Sequence, residues 1–222
     1  RRRRVTQLHW GGGTPTFLSN SELTRLMHSL AVHFNLNDSA DREYSIEIDP
    51  RSVNTETIAL LKGLGFNRVS MGIQDFDPDV QRAVNRVQPY AMVESLVDAV
   101  REHRFKSLSF DLIYGLPKQS TTSMEKTLAQ VISLAPDRIS CYSYAHLPEM
   151  FKSQRSIDRL EVPGADAKLE ILHTIIESLT DAGYLYVGMD HFVKPEDELA
   201  RALHEGTLQR NFQGYSTQLA PE

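Results

Sequence analysis

Short apolar runs alternate with amphipathic stretches along most of the chain. Six runs rich in β-branched and aromatic residues predict strands, at 5–10, 44–48, 68–73, 108–114, 138–144 and 184–188. Each interval between two runs is long enough for one helix and two loops. Because parallel strands need helical crossovers, this order predicts an α/β fold with a parallel sheet.

Four amphipathic helices are predicted between these strands by apolar positions that recur every three or four residues. The four stripes are Leu23, Leu26, Met27, Leu30, Ala31 and Phe34; Met92, Leu96, Ala99 and Val100; Met124, Leu128, Val131, Ile132 and Ala135; and Leu169, Leu172, Ile176 and Leu179. Two residue pairs, Ser19/Glu22 and Thr122/Glu125, have the spacing of capping boxes. They predict where the first and third helices begin.

Two architectures have this order of elements, an open doubly wound sheet and a (β/α) barrel. A doubly wound nucleotide fold would have a glycine-rich turn of the G-x-G-x-x-G or P-loop type that runs directly into a helix. The run Gly11-Gly12-Gly13-Thr14-Pro15-Thr16 has neither spacing, and a proline-bearing loop separates it from the predicted helix. A partial (β/α)6-type barrel is therefore predicted over residues 1–192, followed by a charged, then polar and aromatic post-barrel segment, 193–222.

Composition narrows the class of protein. The 222 residues carry 24 Lys and Arg against 29 Asp and Glu, which gives a net charge of −5. This balance argues against a nucleic-acid partner, and no apolar run approaches the roughly 18 residues that span a bilayer. The basic run at 1–4 is interpreted as a solvated start. The single cysteine, Cys141, excludes an internal disulfide and favours the reducing cytoplasm and a core position.

Polar or glycine residues follow the carboxyl end of each predicted strand, where parallel barrels carry their sites. Glu47 alternates with Ile46 and Ile48, so it points away from them, and an unpaired carboxylate there is costly without a ligand. The residues alone predict a barrel enzyme for a polar, partly anionic small molecule. A metal-dependent barrel hydrolase stays open as an alternative, with candidate ligands Asp49, His146, Asp190 and His191.

Longer motifs are more specific than the strand ends. They lie at 7–16 (QLHWGGGTPT), 45–50 (SIEIDP), 65–76 (GFNRVSMGIQDF), 81–86 (QRAVNR), 111–119 (DLIYGLPKQ), 144–148 (YAHLP), 188–192 (GMDHF) and 210–215 (RNFQGY). Together they resemble the radical S-adenosylmethionine (SAM) enzymes, and among these the family of oxygen-independent coproporphyrinogen III oxidases, or coproporphyrinogen dehydrogenases. The last two motifs resemble the oxidases more than the haem-chaperone-like paralogues, which rank second.

The resemblance implies oxidative decarboxylation of coproporphyrinogen III to protoporphyrinogen IX by a 5′-deoxyadenosyl radical, in anaerobic haem biosynthesis. It implies two SAM molecules and a [4Fe-4S] cluster as cofactors, an electron donor for the cluster as a partner, and a monomer. The family's C-x-x-x-C-x-x-C cluster loop, its first barrel strand and its C-terminal domain are not among these residues. An inactive fragment of a longer enzyme is therefore expected. A non-catalytic porphyrin- or SAM-binding protein is a further alternative.

The resemblance also assigns individual residues. Glu47 matches the carboxylate that contacts the cluster-bound SAM, and Gln213 matches a residue that reaches toward the active centre and is the predicted catalytic residue. Arg86 suits a SAM carboxylate, and Asp111 suits hydroxyls or an ammonium group. No metal ligand is expected in this chain. The complete set of predicted SAM-binding residues is Gly12, Gly13, Thr14, Glu47, Gln74, Arg86, Asp111 and Ala145.

Overall fold

The centre of the molecule is a seven-stranded sheet flanked by helices, in a computed structural model that describes residues 3–211 and 214–216. The strands are β1 (Arg4–Val5), β2 (Gln7–Trp10), β3 (Asn35–Leu36), β4 (Glu43–Ile48), β5 (Arg68–Gln74), β6 (Ser107–Tyr114), β7 (Arg138–Ser143), β8 (Leu185–Gly188), β9 (His191–Val193), β10 (Gln209–Asn211) and β11 (Gly214–Ser216). The helices are α1 (Asn20–His33), α2 (Thr55–Gly63), α3 (Pro78–Ala83), α4 (Tyr90–Glu102), α5 (Thr121–Leu134), α6 (Ala165–Asp181) and α7 (Glu198–His204).

The main sheet has the strand order β2-β4-β5-β6-β7-β9-β8. From β2 to β7 every neighbouring pair is parallel, and at least one helix follows each of these five strands. The α/β class and the partial barrel of mostly parallel strands are thus confirmed. Two further pairs, β1–β3 and β10–β11, form small sheets of their own. Among the described residues, no helix has the length and apolar character needed to cross a membrane.

The last strand differs from the prediction. β8 does not pair with β7, because β9 lies between them and is antiparallel to both. The connection from β8 to β9 is the two-residue turn Met189-Asp190, in which both residues have positive φ, +43° and +72°. Such a turn matches the twist of a hairpin, so the chain folds back at once instead of crossing over through a helix.

The hydrophobic core lies between the outer face of the sheet and the helices. On β4, for example, Tyr44, Ile46 and Ile48 are buried, and the residues between them face the other way. They pack with apolar side chains of the helices, among them Leu23 of α1 and Val97 of α4. Strand periodicity therefore assigns the outer face to packing and leaves the inner face free for polar side chains.

Two local predictions about helices have different outcomes. The Ser19/Glu22 capping box is confirmed at the start of α1, where the Ser19 backbone N–H donates to Glu22 Oε2 at 2.8 Å. The box predicted at Thr122/Glu125 is wrong. Helix α5 is capped instead by Ser120 and Ser123, because Ser120 has the extended backbone that an N-cap needs and the helix already begins at Thr121.

The apolar stripe predicted for α6 is rotated in the structure. The buried side chains are Ile171, Ile175 and Leu179, whereas Leu169 is 65% exposed. Helix α6 packs mainly on α5 at this surface, and the shape of that contact selects the face that is buried. Several apolar residues surround the helix, so periodicity alone does not single out one face.

Helix α7 belongs to the segment predicted to follow the barrel, and it contacts the amino end of the barrel strands. Its first residue, Glu198, forms an ion pair with Arg68 at the start of β5 and lies 3.0 Å from the Arg138 guanidinium at the start of β7. Lys106, just before β6, is 3.2 Å from the same carboxylate. One carboxylate thus joins three neighbouring strand starts, and α7 covers this end of the barrel.

Replacing Glu198 by glutamine is expected to lower the free energy of unfolding at pH 7 by about 2 kcal/mol, since charge-assisted hydrogen bonds are lost. Burial raises the pKa of Glu198, but Arg68, Arg138 and Lys106 lower it more, so the net direction is down. The stabilisation is therefore complete above the ordinary glutamate pKa of about 4.3 and is lost as the pH falls through the lower folded value.

Urea unfolding of the full-length protein and the E198Q variant, from pH 7 towards pH 3, measures this effect. The exposed Glu205 at the other end of α7 provides the control, E205Q, which should change stability little at any pH. A difference between wild type and E198Q that stays constant over this range would contradict the electrostatic origin.

Candidate functional site

The inner face of the barrel sheet is polar and lines a cavity of about 280 Å³. The parallel register places Glu47 on β4 beside Ser70 on β5, and Gly72 on β5 beside Asp111 on β6, which in turn pairs with Ser140 on β7. The two carboxylates predicted from separate strand ends therefore share one cavity. Its wall also includes side chains that sequence reasoning did not select: His9, Ser45, Ser70, Ser109, Ser140, Tyr142 and Tyr215.

Glu47 is held in its charged form. Its Oε1 lies 3.2 Å from His9 Nε2, and its Oε2 accepts a hydrogen bond of 3.2 Å from the backbone N–H of Gly12. The His9 ring is oriented in turn by Ser45, whose hydroxyl is 2.8 Å from Nδ1. The hydrogen bond from His9, followed by that from Gly12, holds the pKa of Glu47 below its usual value. A fixed carboxylate of this kind can accept hydrogen bonds from ligand hydroxyl or ammonium groups.

The three glycines of the loop have two different structural roles. At Gly11 a Cβ atom would lie 2.4 Å from His9 Nε2 and 2.6 Å from Glu47 Oε1, so a larger residue would displace both side chains from their present positions. Gly12 and Gly13 have φ of +77° and +70°, which L side chains rarely adopt. No described atom lies within 4 Å of a Cβ position at either residue. Their backbone is therefore open to close approach by a ligand.

Thr14 continues this open surface. It is exposed and directly precedes a short 3-10 helix, Pro15–Phe17. Within that helix the buried Thr16 hydroxyl is 2.7 Å from the Ser52 hydroxyl, in the short helix that follows β4. This hydrogen bond connects the glycine loop to the end of β4, the strand that carries Glu47.

Asp111 points into the cavity from the middle of β6. Its Oδ2 accepts a hydrogen bond of 2.9 Å from the Ser70 hydroxyl. Burial is the main reason why the pKa of Asp111 is raised above its usual value, with a further contribution from the negative charge of Glu47. A buried carboxylate whose hydrogen-bond partner is a hydroxyl is stabilised by a ligand that brings further donors.

Gln74 and Arg86 converge over Gly72. A Cβ at Gly72 would lie 2.9 Å from Gln74 Nε2 and 3.1 Å from an Arg86 terminal nitrogen, so a larger residue would displace both side chains. The sequence analysis did not select this glycine. Arg86 donates to the Gly72 carbonyl at 3.0 Å and lies 3.4 Å from Asp49. Its buried Nε has no hydrogen-bond partner among the described residues. Gln74 has φ of +66° at a register shift in β5, a strained backbone that turns it toward this point.

The remaining predicted residues are more dispersed. Ala145 lies in the exposed loop after β7, and its carbonyl accepts a hydrogen bond of 3.1 Å from Gln154. Gln213 lies outside the described residues. The fully buried Cys141 has a raised pKa because its thiol is removed from water, as expected of a core cysteine.

The ligand set of the hydrolase alternative is not assembled. Asp49 is bound by Arg51 at 2.7 Å, His146 is 3.1 Å from the Tyr144 hydroxyl, and His191 donates to the Met189 carbonyl at 2.7 Å. Within the part of the chain that the structure describes, no three His, Cys, Asp or Glu side chains are grouped to hold a metal ion.

Comparison with known proteins decides the family. The radical SAM superfamily model matches residues 1–131. The chain belongs to the radical SAM superfamily. It is 54% identical over 213 residues to the oxygen-independent coproporphyrinogen III oxidase of Pseudomonas aeruginosa, covering 96% of the chain and 46% of that protein. With the enzyme of the same name from Escherichia coli K12 it is 51% identical over 216 residues, covering 97% and 47%.

The solved structure of coproporphyrinogen III oxidase (HemN) from Escherichia coli, described as a radical SAM enzyme, aligns with a TM-score of 0.94 at 51% identity. That alignment covers 97% of this chain and 49% of the other. The radical SAM chain thus spans about half the length of the curated relatives it matches. Elp3 from Methanocaldococcus infernus, with 18% identity and a TM-score of 0.55, shares the fold alone.

The radical SAM family implies SAM and a [4Fe-4S] cluster, and the described residues fit the first of these groups. The open glycine backbone, the charged Glu47, the buried Asp111 and the unpaired Arg86 Nε form a set of donors and acceptors suited to SAM. The residues do not fit the cluster, because the only cysteine in the chain is Cys141, which is buried and has a raised pKa.

The substitution G11A is expected to weaken SAM binding by the full-length protein at least tenfold, because the new methyl group displaces Glu47 and His9. G63A at the end of α2 is the matched control, since its Cβ position has no described atom within 4 Å other than neighbouring residues and the backbone of its own helix. Equilibrium dialysis with SAM measures both variants. Unchanged affinity in G11A would show that the close approach of loop and carboxylate is not needed for binding.

Proposed function

We propose that the protein containing this chain is an oxygen-independent coproporphyrinogen III oxidase, and that the chain supplies the barrel that binds SAM. Identity of 51% to 54% over 96% to 97% of the chain with curated oxidases supports the proposal. The observation that carries it is the arrangement of Glu47, whose charge is stabilised by His9 and Gly12 beside an open glycine backbone.

In the proposed reaction, Glu47 accepts hydrogen bonds from the ribose hydroxyls or ammonium group of the first SAM molecule. Gly12, Gly13 and Thr14 let that molecule approach the backbone closely. The SAM and cluster pair supplies, when bound, a 5′-deoxyadenosyl radical that takes a hydrogen atom from a substrate propionate. The cluster cysteines would lie outside these 222 residues, since the chain has one cysteine. The chain's own residues orient SAM and exclude water.

A second SAM molecule is proposed above Gly72, where Gln74 and Arg86 converge. The partly exposed Arg86 guanidinium suits the carboxylate of that molecule, and Asp111 suits its hydroxyl or ammonium groups. The main chain at Ala145, in the exposed loop after β7, is proposed to contribute to the same site. Gln213 is proposed as the residue that acts at the active centre. An electron donor for the cluster would start the turnover, and loss of CO₂ and of one electron to an acceptor would complete it.

The proposal is tested with the full-length protein, reconstituted with iron and sulfide under anaerobic conditions. The protein is given SAM, coproporphyrinogen III, a chemical reductant for the cluster and an electron acceptor. Protoporphyrinogen IX and 5′-deoxyadenosine, measured by chromatography, are the expected products. A protein with an intact cluster and bound SAM that leaves coproporphyrinogen III unchanged would contradict the oxidase function. Stable haem binding by that protein would then indicate the haem-chaperone-like paralogue.

A further inference from the structure

The loop after β7 is fastened to the barrel at one peptide. Tyr144 donates its backbone N–H to the Tyr114 carbonyl at 2.8 Å, and its own carbonyl accepts a hydrogen bond of 2.8 Å from Lys168 Nζ. The peptide between residues 144 and 145 is planar, and its carbonyl and N–H point in opposite directions. The contact from Lys168 therefore also fixes the direction of the Ala145 backbone N–H.

Lys168 reaches this carbonyl through a groove that a glycine creates. A Cβ at Gly115 would lie 2.6 Å, 3.0 Å and 3.1 Å from Cε, Cδ and Cγ of Lys168. The Gly115 N–H is itself bound to Gln119 Oε1 at 2.6 Å, so the floor of the groove is rigid. The Lys168 ammonium also lies 5.9 Å from the centre of the Tyr144 ring, within range of a cation–π contact.

The position of Lys168 in its helix is unfavourable without this contact. Lys168 lies in the first turn of α6, where the helix dipole repels a positive charge. It is half-buried, whereas Asp166 and Glu170 on the same turns are exposed. The stem of Lys168 lies over Gly115 and its ammonium group binds a loop carbonyl. Because a cation is otherwise unfavourable at this end of a helix, we interpret Lys168 as a residue that stabilises the conformation of the loop.

We propose that Lys168 is a positioning residue for the second SAM site, acting through the Tyr144–Ala145 peptide. The inference rests on the proposed function, which puts Ala145 at that site. Lys168 does not touch SAM in this scheme. It holds the loop main chain in the one orientation that presents the Ala145 N–H to the ligand.

The test uses K168M, which keeps an unbranched stem over Gly115 and removes the donor. In the reconstituted full-length protein, equilibrium dialysis with SAM is expected to show the second molecule bound about tenfold more weakly and the first with unchanged affinity. The control is K118M. It removes an exposed ion pair in which Lys118 Nζ lies 3.4 Å from Glu161, a residue near the end of the loop that follows β7. It should leave both affinities unchanged.

A second variant tests the groove itself. G115A pushes the Lys168 stem aside and should weaken the second SAM in the same way. Gly115 has φ of +80°, so G183A, at φ of +90° with no described atom within 4 Å of its Cβ position, controls for backbone strain alone. G183A should leave SAM binding unchanged.

The outcomes separate the inference from the proposed function. A wild-type protein that binds fewer than two SAM molecules overturns the two-SAM site, and with it the inference. If wild type and K168M bind both SAM molecules with the same affinities, the inference is overturned and the proposed function stays intact. Loss of both molecules in K168M together with a lowered thermal midpoint would show a general structural role and would also overturn it.

Discussion

Replacing Asp75 by alanine is expected to lower the free energy of unfolding by about 3 to 5 kcal/mol. Asp75 is 1% exposed, and its Oδ1 accepts hydrogen bonds from the Asp77 N–H at 2.7 Å and the Thr127 hydroxyl at 2.6 Å. Its Oδ2 accepts from the Gln119 amide. Alanine would leave all three donors without their acceptor in a site that water does not reach.

The effect should extend to the candidate site, because Gln119 also holds the loop after β6. Its Oε1 accepts from the N–H groups of Gly115 and Leu116 at 2.6 Å and 3.0 Å. Chemical denaturation of the full-length protein measures the change, with D98A on the exposed face of α4 as the control, expected within about 0.5 kcal/mol of wild type. A loss below 1 kcal/mol for D75A would show that Asp75 does not organise these loops.

The substitution E47Q is expected to weaken SAM binding by about ten- to a hundredfold while the protein stays folded. Glutamine has the shape of Glu47 and can still accept from the Gly12 N–H, but it lacks the charge that His9 and Gly12 stabilise. A ligand ammonium or a pair of ribose hydroxyls loses its charged acceptor in this variant. Calorimetric titration of the full-length protein with SAM measures the change.

The matched control is E94Q on the exposed surface of α4, which removes the same charge far from the cavity. Both variants should unfold at the same temperature as wild type within a few degrees. Equal affinity for SAM in wild type and E47Q would place the ligand elsewhere on the barrel and would remove the observation on which the proposed function rests.

Local signals predicted the elements that depend on a few neighbouring residues. Five of the six predicted strands appear with ends that move by at most one residue, because β-branched and aromatic runs have the same preference in any sheet. The strand predicted at 5–10 is instead divided at Thr6 into β1 and β2, which pair in different sheets. The Ser19/Glu22 box was found because both partners lie within one helical turn. The Thr122/Glu125 box failed because Ser120, two residues earlier, is an equally good cap and captures the helix start.

Short sequence patterns could not predict contacts between elements that are far apart in the chain. Alternation shows that Glu47 and Asp111 face away from the core, but only the register of β4, β5 and β6 brings them to one cavity. Asp75 follows Gln74 in the same polar pair, and the sequence does not tell which of the two is buried. Lys168 resembles any charged residue on a helix until the fold places its side chain over Gly115 and beside the Tyr144 carbonyl.

The sequence by itself determined the strand and helix order, the polar inner face, the glycine loop and the resemblance to radical SAM enzymes. These follow from residue periods and short motifs, which act within a few residues. The tertiary structure alone decided that β9 inserts antiparallel beside β7, that α7 covers the amino end of the barrel, and that Lys168 donates to the Tyr144 carbonyl. Such contacts join residues 24 to 130 positions apart, and their stability depends on burial and hydrogen-bond geometry that exist only in the folded chain.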